Sequence, residues 1–78
     1  MKGFVITFGR KALAIQTKNN TQYYAPLYEV EDIILANLNT SMPIYVVFDE
    51  DKTQYAGHYN GKPRYYAKNV RLQDMMYF

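Results

Sequence analysis

Apolar and polar positions alternate from the start of the chain. Phe4, Ile6 and Phe8 fall on one side of the alternation and Val5 and Thr7 on the other, the period of a half-buried strand. Gly9-Arg10 interrupts it. A second strand follows, with Leu13 and Ile15 alternating against Ala12, Ala14 and Gln16. Lys18-Asn19-Asn20-Thr21 is polar and turn-prone, because Asn tolerates the left-handed backbone of a tight turn. Gln22-Tyr23-Tyr24-Ala25 predicts a short third strand that Pro26 stops. Three short strands joined by tight turns make a meander.

The period then changes. Val30, Ile33, Ile34 and Leu38 recur at helical spacing, with Glu29, Glu31 and Asp32 where a helix dipole favours acids. This predicts a short helix over 28–37. Ile44-Tyr45-Val46-Val47-Phe48 is the strongest strand signal, expected to end at Asp49-Glu50-Asp51-Lys52. Asn60-Gly61, a pair that suits the positive φ angles of a tight turn, lies between Gln54–Tyr59 and Arg64–Arg71 and predicts a hairpin or an elongated loop feeding the last strand. Met75-Met76-Tyr77-Phe78 is an apolar tail, expected to dock on the fold or to form a homodimer contact. Three meander strands, a helix and two more strands predict an all-β fold with one short helix. The layout is that of a small five-stranded OB-type barrel, with an SH3-like barrel as the alternative.

At 78 residues, the whole of 1–78 is read as a single OB-like domain. The chain has no cysteine and no Cys/His cluster, so neither a disulfide nor a zinc site is expected. The missing cysteines fit a reducing compartment. No apolar run approaches the roughly 20 residues that span a bilayer. Met1-Lys2-Gly3-Phe4 turns polar too soon for a secretory leader. These features together lead us to expect a cytoplasmic protein away from membranes.

Composition and charge sharpen the picture. Nine tyrosines stand against four phenylalanines and no tryptophan, so several rings are expected at the surface. The net charge is only +2, but it is unevenly spread. Residues 1–28 carry Lys2, Arg10, Lys11 and Lys18 and no acid. Residues 52–71 carry Lys52, Lys62, Arg64, Lys68 and Arg71, again with no acid. If the first and last strands are neighbours, these stretches form one basic face.

Three short patterns resemble the bacterial cold-shock proteins. Met1-Lys2-Gly3-Phe4-Val5-Ile6-Thr7-Phe8 is similar to their opening Lys-Gly-x-Val-x-Trp-Phe strand. Tyr23-Tyr24-Ala25-Pro26-Leu27 falls at their Val-Phe-Val-His-Phe motif, and Tyr66-Ala67-Lys68-Asn69-Val70 at their closing Ala-Ala-x-Asn-Val strand. The resemblance implies an OB barrel that binds single-stranded RNA or DNA. It departs at the family's Lys-Gly-Phe-Gly-Phe-Ile motif, which falls on Arg10-Lys11-Ala12-Leu13-Ala14-Ile15. Both stacking phenylalanines are alanine here, Thr7 replaces tryptophan and Pro26 replaces histidine. Only Tyr24 keeps a ring at a base-stacking position. Each base–aromatic stack is worth about 1–3 kcal/mol, so the family's original site is largely dismantled.

A substitute site would be built from tyrosines and cations. Its candidates are Lys11, Tyr23, Tyr24, His58, Tyr59, Lys62, Arg64, Tyr66 and Lys68, because rings stack on bases while cations follow phosphates. Alternation places Arg64, Tyr66 and Lys68 on one face of the last strand and Tyr65 on the other. For any one ring, packing against the core is the competing fate. An enzyme is not expected. There is one histidine and one serine, Ser41, with no base beside it, and Asp49-Glu50-Asp51 lacks the spacing of a calcium loop. No cofactor or metal is implied. The alternative to nucleic acid is a protein partner, for an inhibitor or adaptor on the same scaffold, since Tyr, Met and Arg also suit protein interfaces.

Overall fold

The computed structural model describes residues 1–39, 44–59 and 62–73, with the side chains of 53–56, 58, 59, 62 and 63 excepted. The predicted Asn60-Gly61 turn and the Met75–Phe78 tail lie outside the described residues. Five strands form: β1 (Lys2–Phe8), β2 (Ala12–Gln16), β3 (Gln22–Pro26), β4 (Tyr45–Tyr59) and β5 (Lys62–Leu72). A 3-10 turn (Leu27–Glu29) and the helix α1 (Asp32–Ala36) lie between β3 and β4. The strands close in the order β1-β2-β3-β5-β4, with β4 pairing back onto β1. Only the β3–β5 pair is parallel among the five strand pairings. Of the two barrels the sequence leaves open, this is the small OB-type one.

Local chemistry explains the first three strands. Asn20 takes a φ of 61° in the β2–β3 turn, and its N–H donates to Thr17 O at 3.0 Å. Leu13 and Ile15 face the core, where Tyr23, Ala25, Ile34, Val46, Phe48, Ala67 and Val70 join them. In β1 Gly3 and Val5 face inward, and a register shift between Val5 and Thr7 then changes the sides, setting Thr7 opposite Ala14 and Phe8 opposite Leu13. A Cβ on Gly3 would lie 2.7 Å from both Ile15 Cγ2 and Gln16 O, and Val5 packs on the core. Ile6 and Phe8 remain 38% and 46% exposed.

Three expectations are corrected. First, 28–37 is not one helix. Val30 makes a parallel bridge to Val70 and splits the segment into the 3-10 turn and α1. The Glu29 carboxylate accepts the Asn69 N–H and the Glu31 carboxylate the Leu72 N–H, both at 3.0 Å, so these acids hold β5. Second, Asp49-Glu50-Asp51 does not end β4. Asp49 accepts from Asn69 Nδ2 at 3.2 Å and lies 3.6 Å from Arg71 Nη2, and these cross-strand partners carry the acidic run through as strand. Third, the first and last strands are not neighbours. β1 pairs with β2 and β4, whereas β5 pairs with β3 and β4.

Candidate nucleic-acid interface

Strand alternation sends Leu13 and Ile15 inward, so Ala12 and Ala14 of β2 point outward. The pairing register then sets Ala14, Tyr24 and Tyr66 in one row across β2, β3 and β5. The Tyr24 and Tyr66 rings meet edge-to-face, with centroids 5.6 Å apart and planes at 86°. One step back along β5, Arg64 leans over this row. Its guanidinium carbon lies 4.8 Å from the Tyr24 ring centroid, a cation–π contact. Ala12 and Ala14 are each only 7% exposed.

An open groove of about 470 Å³ runs from this pair towards the β1–β2 turn. Tyr24, Arg64, Phe8, Arg10 and Lys11 supply its chemistry, over a floor that includes Ala12 and Ala14. Gly9 N–H donates to Ala12 O at 2.8 Å and Leu27 N–H to Lys11 O at 3.0 Å, so the turn carrying both cations is fixed at each side. Arg10 and Lys11 are exposed. No carboxylate lines the groove among the described residues. Acids flank the neighbouring surface instead: Asp51 pairs with Tyr66 and Asp49 with Lys68 across β4–β5.

The groove gathers Lys11, Tyr24 and Arg64 from the sequence candidates, with Tyr66 against Tyr24 at its edge. Lys68 is exposed one row further along the same face of β5. Tyr65 turns inward against the core, as alternation predicts. Tyr23 is corrected as a site residue. It is 3% exposed and packs against Phe48 at 4.9 Å and Tyr65 at 6.2 Å, where no base can reach it. Burial raises its pKa above the ordinary 10.0, and the Glu50 carboxylate that accepts its hydroxyl proton in a hydrogen bond adds to the shift. His58 and Tyr59 of β4 and Lys62 of β5 fall in the distal part of the hairpin, in the pairings His58↔Pro63 and Tyr59↔Lys62, and their side chains lie outside the described residues. Phe8 and Arg10 were not among the candidates. Arg10 adjoins Lys11 in the turn and was legible on that ground, whereas Phe8 reads as an ordinary strand hydrophobe.

No protein-family model, no curated protein and no solved structure matches the chain. Function must therefore be argued from the groove. Among the described residues no group of three His, Cys, Asp or Glu could hold a metal ion, and no helix is long and apolar enough to cross a membrane.

Proposed function

We propose that the barrel binds single-stranded nucleic acid, RNA or DNA, along the β2–β3–β5 face without acting as an enzyme. The observation that carries this reading is the convergence of Tyr24, Tyr66 and Phe8 with Arg64, Arg10 and Lys11 around one groove free of carboxylates. The half-buried Tyr24 and Tyr66 rings and the exposed Phe8 offer stacking surfaces to bases of any sequence, and the cations neutralise the phosphates that link them. This is the surface that OB barrels use for oligonucleotides. The resemblance to cold-shock proteins points to the same face, with Arg64, Tyr66 and Phe8 in place of the missing phenylalanines. A chain working on such a ligand has its place in the cytoplasm.

The test is a fluorescence-anisotropy titration with labelled oligo(dT) and oligo(U) at low and high salt. Binding is expected at low salt and should weaken steeply as salt rises. Tyr66→Ala should cost about 1–3 kcal/mol of binding. Lys11→Gln should reduce the log–log salt slope by about 0.7. A flat titration at low salt would reassign the surface to a protein partner, for which exposed Tyr, Phe and Arg are equally suited.

A further inference from the structure

We infer that Arg64 is a cap on the Tyr24 stacking face, which a nucleobase must displace, so that this one residue both attracts the ligand and opposes its docking. The inference rests on the nucleic-acid reading of the groove. A planar guanidinium 4.8 Å from the ring centroid occupies the position that a stacked base would take. Tyr66 stands perpendicular to Tyr24 at 5.6 Å and flanks it from the β5 side. In the free protein the arginine therefore covers a face of the Tyr24 ring. Ala12 and Ala14, which have no side chain beyond Cβ, line the groove beside it.

Opening the cap does not waste the charge. A guanidinium lifted from Tyr24 stays at the end of its own side chain beside the groove, within reach of the phosphate that accompanies the incoming base. Binding gives up the cation–π contact and gains a base stack and a phosphate contact. Salt acts on these two halves differently. The phosphate contact weakens as salt rises, while base stacking and the cap contact are short-range and respond much less. Arg64 therefore helps binding at low salt and opposes it at high salt.

The experiment compares wild type, Arg64→Gln and Lys11→Gln with labelled oligo(dT), at about 50 mM and about 500 mM KCl. Both variants lose one cation, and both slopes should fall by about 0.7. Only Arg64→Gln also removes the cap, so its line should cross that of wild type and end about two- to fivefold tighter at high salt. The Lys11→Gln line should stay weaker throughout. In parallel, the Arg64 Nε–Hε resonance should lie upfield in the free protein, under the Tyr24 ring current, and move downfield on saturation. Arg64→Gln weaker at both salts, with a resonance that stays upfield, would mean that the base stacks on the guanidinium, and would overturn the cap. Absence of wild-type binding at low salt would remove the nucleic-acid reading and the cap with it.

Discussion

At the residue scale, two small features set the shape of the barrel wall. Gly3 lets β1 approach β2 so closely that any side chain there meets the Gln16 carbonyl and the Ile15 methyl at 2.7 Å. The carbonyl belongs to backbone and cannot yield, so Gly3→Val should destabilise by about 1–3 kcal/mol, read as a lower urea midpoint. Tyr23 holds the other feature, a buried phenol donating to Glu50. Tyr23→Phe should cost about 1 kcal/mol at neutral pH through the lost hydrogen bond. The pKa of Tyr23 is raised in the fold, so the neutral phenol is the form that folding favours. Its contribution is complete below the ordinary value of 10.0 and drains away as pH rises through the higher folded value. Melting temperatures at neutral pH and near pH 11 should show the gap between wild type and Tyr23→Phe closing; a gap constant with pH would contradict the assignment.

At the element scale, β5 is the strand on which the others depend. It pairs with β3 and β4, and the connector before α1 secures its far end through Glu29 and Glu31. Asn69 sits at that end with a φ of 57°, its N–H on Glu29 and its Nδ2 on Asp49. A β-branched residue there would meet the left-handed penalty and lose the Asp49 contact, so Asn69→Val should cost about 2–3 kcal/mol in chemical denaturation. Asn69→Gly, which keeps the backbone, should cost less than half as much. The strand pattern made much of this architecture legible. The five elements, the turn at Asn20 and the outward Arg64–Tyr66–Lys68 face follow from alternation and turn chemistry alone. What alternation cannot say is which of its two sets faces inward. In β1 the answer changes partway along the strand, at the register shift between Val5 and Thr7, which no local pattern encodes. Asp32 does stand in the first turn of α1, but the roles of Glu29, Glu31 and the acids of 49–51 are hidden for a related reason. Their partners, Asn69, Leu72 and Arg71 on β5 and Tyr23 on β3, are far away in sequence, so a helix dipole and a turn were the only local roles open to them. The groove was half legible for the same cause. Residue types mark Tyr24, Tyr66, Arg64 and Lys11, but burial removes Tyr23 and exposure adds Phe8.

At the scale of the whole molecule, charge is sorted by topology. The acid-free stretches 1–28 and 52–71 do meet, but through the third strand. The parallel pairing Gln22↔Arg64, Tyr23↔Tyr65 and Tyr24↔Tyr66 joins them, with β1 remote from β5. Acids occupy the connector and the adjoining stretch of β4, so carboxylates border the basic face on its β4 side. Asp51 is the instructive one. It pairs directly with Tyr66, and residues opposite one another in an antiparallel pair project from the same face. Its charge therefore lies beside the ring at the edge of the proposed site and repels a phosphate backbone that strays towards β4. A unit charge about 10 Å from a phosphate in water is worth about 0.4 kcal/mol, a factor of two in affinity. Asp51→Asn should accordingly tighten oligo(dT) binding about twofold at low salt, with the gain gone once the Debye length falls to a few ångströms. The same substitution would leave a partner held by apolar contacts indifferent. A strand drawn to the Arg10–Lys11 side and pushed from the Asp51 side has one track across the barrel, over Tyr24. An Asp51→Asn effect that persists at high salt would show that the carboxylate acts through packing, and the border would then have no part in setting that track.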